Sequence, residues 1–202
     1  MKTIVISVIV GVILIVAGGL INRFNVSDES EYVPEAVATF ANQGVWHGRV
    51  YHNEWLGFRF FLGGETWVDL SDIYRGLYDF AATPVDMFIQ AECNMTEASI
   101  TIISMDLEVD DPLDTQEALV AAYEIFSAIL ENLMHSGVFD IMPIAPLYVG
   151  NYEWFGISYS VDGINYIQLF NVKDAHLRSI DIEYALAMQT VQTFIAMFAG
   201  IE

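Results

Sequence analysis

Cysteine is almost absent from this chain. Cys93 is the only one, so no intramolecular disulfide can staple the fold. It lies in the apolar run FIQAECNM, with no histidine or base placed near it by the sequence. A lone cysteine in that setting reads as a small buried hydrophobe, not as a nucleophile. Bases are scarce too: 7 Lys and Arg stand against 27 Asp and Glu, a net charge of −20 over 202 residues. Lys2 and Arg23 flank one apolar segment, so the rest of the chain sets five bases against all 27 acids. Such a body repels phosphate backbones and anionic headgroups. That argues against nucleic-acid binding and leaves cations, basic partners or plain solubility as the meaning of the acids. The familiar catalytic spacings are also missing. There is no G-x-S-x-G, no S-x-x-K and no glycine-rich phosphate loop. His47, His52, His135 and His176 form no H-x-x-x-H or H-E-x-x-H pair, so zinc is not indicated. Acids are so abundant that no single pair of them points to glycoside cleavage.

One long uncharged run is present. Residues Thr3 to Ile21 carry no charge across 19 positions. As a helix at about 1.5 Å per residue they span roughly 28 Å, the thickness of a bilayer core. The run is longer than the apolar region of a signal peptide and lacks a clean A-x-A site. Residues 1–22 are therefore expected to be a retained signal anchor, with a cleaved signal peptide as the alternative. Lys2 before the run places the N-terminus in the cytoplasm and the acidic body outside. No cysteine follows the run, which excludes a lipoprotein anchor. Residues 23–43, polar and acidic with Pro34, read as a stalk with a short helix. Residues 44–202 read as one extracytoplasmic domain.

Within that domain the patterning alternates between strand and helix. RVYHN and GFRFFL flank a turn at Asn53–Gly57, and Phe58, Phe60 and Leu62 share one face by period two. A short helix is expected from Ser71, with Ile73, Leu77 and Phe80 as its stripe. VDMFIQAEC and ASITIISMDLEV read as a strand pair. The clearest helix runs from Thr115 to Ser136, with Leu119, Tyr123, Phe126, Leu130 and Leu133 expected on its buried face. Gly137 ends it. YEWFGISYSV, INYIQLFNV and LRSIDIEY predict a three-strand meander, with Asp162-Gly163 as a primed two-residue turn and Lys173–His176 as the second turn. A last helix is expected over 185–199. The fold class is thus α+β: an antiparallel sheet with helices packed against it.

The segment GVWHGRVYHNEWLGFRFFLGGETW resembles the start of small exported domains of Gram-positive bacteria. Tyr51, Asn53, Leu56, Gly57, Phe58 and Trp67 match their pattern, although Gly63-Gly64-Glu65-Thr66 stands where those domains carry a proline turn. GNYEWFGISY and the strands around Tyr166, Ile180 and Ile182 are similar as well, so the resemblance covers roughly 44–200. It implies a PsbP/Mog1p-like fold, an antiparallel sheet between helices. The better-known members of that fold bind partners, a photosystem subunit in one case and a small GTPase in another. No residues for either role can be matched here, and fold alone is weak warrant for function.

DLEVDDPLDTQE, residues 106–117, resembles a calcium loop. Asp106, Glu108, Asp110, Asp114 and Glu117 supply oxygens at the expected positions. Asp111 stands where the loop needs glycine, and the upstream segment alternates like a strand where an EF-hand has a helix. Asp106 and Glu108 therefore read as the solvent face of a strand, and Asp114 with Glu117 as a helix cap. Of the aromatics, Trp46, Trp55 and Trp154 are the candidates for a partner-binding patch with an acidic rim. The whole reading is a membrane-anchored interaction module, not an enzyme and without a cofactor, whose partner is a protein at the cell surface. The alternatives are a calcium-stabilised structural domain and an envelope enzyme with an unrecognised site.

Overall fold

The computed structural model describes residues 43–63, 66–73, 85–93, 98–107, 115–138, 140–185 and 191–201. The expected span at 3–21, the stalk and residues 74–84 lie outside them. Among the described residues no helix is long and apolar enough to cross a membrane.

Two antiparallel sheets carry the fold. The larger has seven strands in the order β4-β5-β6-β10-β9-β8-β7. These are β4 (Trp67–Asp69), β5 (Val85–Cys93), β6 (Ala98–Asp106), β7 (Met142–Val149), β8 (Tyr152–Val161), β9 (Ile164–Lys173) and β10 (His176–Tyr184). The smaller has four in the order β1-β2-β3-β11: β1 (Val45–His47), β2 (Val50–Asn53), β3 (Phe58–Phe61) and β11 (Phe198–Gly200). Among the described residues the helices with both ends given are α1 (Thr115–His135) and α2 (Val191–Ile195).

Both faces of the large sheet are covered. On one, Ile89, Ile100, Ile102, Ile167, Leu169, Ile180, Ile182 and Trp154 pack against Tyr51, Leu56, Phe58, Phe60 and Phe198 of the small sheet region, with Phe194 of α2. On the other, Ile103, Met105, Ile157, Phe170, Val172 and Leu177 pack under α1. The order of layers is therefore small sheet, large sheet, helix, where the sequence pattern led to one sheet with helices packed against it and the resemblance implied a sheet between helices. Double coverage also corrects the reading of β6. Ser104, two residues from Asp106 on the face read as solvated, is fully buried, and only Asp106 at the strand end is exposed. Glu108 lies outside the described residues.

The expected terminal helix is shorter than its pattern suggested. Residues 186–190 are outside the described set, and Phe198–Gly200 forms β11, which pairs with β3. Phe198 stacks on Phe60 at 5.0 Å and meets Phe58 edge-on at 5.1 Å. Pairing in the small sheet outweighs the helical period of four apolar residues. The sequence reading also passed over β7, because Pro143 and Pro146 lack backbone donors. The structure makes it an edge strand, the place where a sheet tolerates proline.

The helix face is rotated from its expected position. Ala118, Ala122, Ile125 and Ile129 are buried, with Phe126 and Leu133 packed beside them, whereas Tyr123 is 70% exposed. The two alanines let the helix backbone approach the sheet closely, so small residues mark the contact and the large tyrosine turns outward. As expected, Gly137 at φ +83° ends α1, and Val138 donates to the Leu133 carbonyl at 3.1 Å.

Candidate functional site

The residues of the sequence resemblance find a structural explanation in the loop joining β2 to β3. The Asn53 carboxamide oxygen accepts the Leu56 amide at 2.9 Å, and its nitrogen donates to the Tyr51 hydroxyl at 3.0 Å. That hydroxyl also accepts the Gly44 amide at 2.7 Å. Asn53 and Tyr51 are both buried, so the network satisfies polar groups that burial would otherwise penalise. Leu56 is driven into the core. Gly57 has φ +71°, and a Cβ there would lie 2.4 Å from the Tyr152 ring. Glycine is required on both counts.

The loop lays Trp55 over the large sheet, where apolar rows give way to polar ones. Cross-strand register aligns Ser104, Arg178 and Asn171 in one row, and Asp106, His176 and Lys173 in the next. The guanidinium carbon of Arg178 sits 4.1 Å from the Trp55 ring centre and 5.4 Å from that of Tyr152. His176 meets Trp55 edge-on at 4.9 Å. Lys173 lies 3.9 Å over the Tyr152 ring and also donates to its hydroxyl. Arg178 is fully buried, so this cluster ties the loop to the sheet by cation–π contact and is not an open binding site. Beside it, an open groove of about 300 Å³ is lined by Gln43, Gly44, Val45, His47, His52, Asn53, Glu54 and Trp55.

A second polar row lies on the helix-facing side. Gln90, Thr101, Asp181 and Gln168 follow one another across β5, β6, β10 and β9. Thr101 donates to Gln90 at 2.5 Å, and the Ser179 hydroxyl donates to the Asp181 carboxylate at 2.6 Å. Burial pushes the Asp181 carboxyl up to about 6, although hydrogen bonds from Ser179 and Gln168 oppose the shift. Burial likewise raises the Tyr159 hydroxyl, whose ring stacks on Tyr166 at 5.0 Å. A row of amides and hydroxyls around one carboxyl offers no nucleophile paired with a base.

The residues singled out from the sequence are placed as follows. Trp154 is fully buried, with its indole donating to the Val149 carbonyl at 3.3 Å, so it forms no partner patch. Trp46 packs half-buried against Tyr51 and Phe60, and Trp55 covers Arg178. These three tryptophans serve the core and the loop. Asp106 ends β6 and Glu117 is exposed in the first turn of α1. Glu108, Asp110 and Asp114 lie outside the described residues. Among the described residues no three carboxylate, imidazole or thiol groups are gathered to hold a metal ion. Cys93 is buried, with its sulfur 3.5 Å from the Thr66 hydroxyl.

Exposed apolar chemistry is found on the outer stripe of α1, which the sequence reading had partly assigned to the core. Val120 is 49% exposed, Tyr123 70% and Met134 59%. At 100° per residue these three share a face with Ser127 and Glu131, opposite the buried stripe. Glu117 and Glu124 border it, both exposed.

No protein-family model matches the chain, and no curated protein matches it. Among solved structures it is similar to the solution structure of cyanobacterial PsbP (CyanoP) from Synechocystis sp. PCC 6803. The likeness covers 78% of this chain and 98% of that chain, at 13% identity and a TM-score of 0.46. The likeness carries nothing about activity or partner.

Proposed function

We propose that this chain is a membrane-anchored, extracytoplasmic binding module of a Gram-positive envelope, without catalytic activity of its own. Its partner contact is the outer stripe of α1. The observation that carries this reading is the exposure of Val120, Tyr123 and Met134 on a helix whose buried face is already complete without them. Aromatic and methionine side chains are enriched at protein interfaces. Glu117, Glu124 and Glu131 around them favour a partner surface that is basic at its rim and apolar at its centre.

The test is affinity capture after chemical crosslinking on cells of the native host, using the full chain and its Tyr123→Ala/Met134→Ala variant. The reading expects a reproducible partner with the first and its loss with the second, at equal surface level. Equal recovery with both chains would remove the helix face from the account.

A further inference from the structure

The small sheet turns one face to the core and the other away from it. Trp46, Tyr51, Phe58, Phe60 and Phe198 point inward. Their neighbours point outward in two cross-strand rows: Val45, His52, Arg59 and Ala199, then His47, Val50 and Phe61. No Asp or Glu occurs in any of these four strands. In a chain of net charge −20 these strands bear one arginine and two imidazoles and no acid, with Val45 and Phe61 exposed beside them and Glu54 following β2 at the edge. Arg49, at the β1–β2 turn, is engaged by the Leu62 and Trp67 carbonyls at 3.2 and 3.0 Å and is not counted with this face. The Nε2 atom of His52 is shielded from water and has no hydrogen-bond partner among the described residues.

We infer that this face is the docking surface for the chain's own acidic segment, residues 27–35. That segment, SDESEYVPE, holds Asp28, Glu29, Glu31 and Glu35, with Tyr32 and Val33 between them. It offers carboxylates to Arg59 and the two imidazoles, and two apolar groups to Val45, Val50 and Phe61. Reach is sufficient. Ten residues from Glu35 to Val45 extend at most about 33 Å, whereas four strands about 4.8 Å apart place the outer two only about 15 Å from one another. Charge decides between this occupant and a separate acidic molecule. A free acidic partner must approach a body that repels it at long range. A tethered segment is held near the face at an effective concentration in the millimolar range and bears no such encounter penalty. A second copy of the chain meets the same repulsion as any other acidic partner.

The inference is independent of the helix-face reading, and it holds whether or not residues 1–22 are removed. Its test uses the full chain in lipid nanodiscs and the variant Asp28→Asn/Glu29→Gln/Glu31→Gln/Glu35→Gln. Histidine modification by diethylpyrocarbonate is followed residue by residue by mass spectrometry. In the variant His47 and His52 should react about fivefold faster, the factor that about 1 kcal/mol of lost protection gives. His135 on α1 should react at the same rate in both chains, reporting an intact domain. Arg59→Gln should act in the same direction, and about 0.5 M NaCl should accelerate His47 and His52 in the unaltered chain by screening. Equal His47 and His52 rates in the two chains would overturn the inference. So would protection that survives the four substitutions and grows with protein concentration, which would assign the face to a second copy.

Discussion

At Ala175 the backbone takes φ +63°, and at Asp174 φ +51°. Both central residues of the β9–β10 turn are thus left-handed, the geometry that matches the twist of a two-residue hairpin. Asp tolerates that region, but alanine pays a steric cost between its Cβ and the following carbonyl. Ala175→Gly should therefore raise stability by about 0.5–1 kcal/mol, read by denaturant unfolding, and no change would mean that the strain is relieved elsewhere. Asp181 carries the other residue-scale expectation. Its folded pKa of about 6 lies above the ordinary aspartate value near 3.9. The folded protein therefore binds the extra proton between those values, and stability falls as pH rises from about 4 to about 6. The loss amounts to about 3 kcal/mol and is complete above the folded value. Asp181→Asn should flatten this part of the stability–pH curve. A slope unchanged by the substitution would assign the dependence to other groups.

The elements show what was legible in the sequence and what was not. The meander, the long helix, the Asp162-Gly163 turn and the β5–β6 pair follow from period and turn chemistry, which are local signals. The rotation of α1 does not. Leu119, Tyr123 and Phe126 outrank Ala118 and Ala122 in hydrophobicity, but close approach to the sheet selects small side chains, and only the sheet's position reveals that. Two substitutions separate the faces. Ala122→Leu should destabilise by about 1–3 kcal/mol through overpacking, while Tyr123→Ala should leave stability within about 0.5 kcal/mol. Thermal unfolding of the two variants checks both, and a reversed order would restore Tyr123 to the core. β7 and β11 were hidden for different reasons. Prolines masked the first, and the second is three residues long and defined only by its pairing with β3. The Arg178–Trp55 contact joins positions 123 residues apart, a separation that no local pattern encodes.

In the whole molecule, the seven-stranded sheet is enclosed between the small sheet and α1, and that layering distributes the charge. Among the described residues Glu117, Glu124 and Glu131 lie along the exposed side of the helix, while the four strands of the small sheet contain no Asp or Glu. The tryptophans expected at a partner surface are spent on the core and on the β2–β3 loop. The contact proposed for a partner is the outer stripe of α1 with its acidic border. The most direct measurement is site-specific photo-crosslinking on cells of the native host, with a photoreactive residue placed in turn at Val120, Tyr123 and Met134, and at Val68 and Tyr148 as exposed positions off the helix. The account predicts one shared adduct from the three helix positions and none of that mass from the other two. Adducts confined to Val68 or Tyr148, with the helix positions silent, would contradict it.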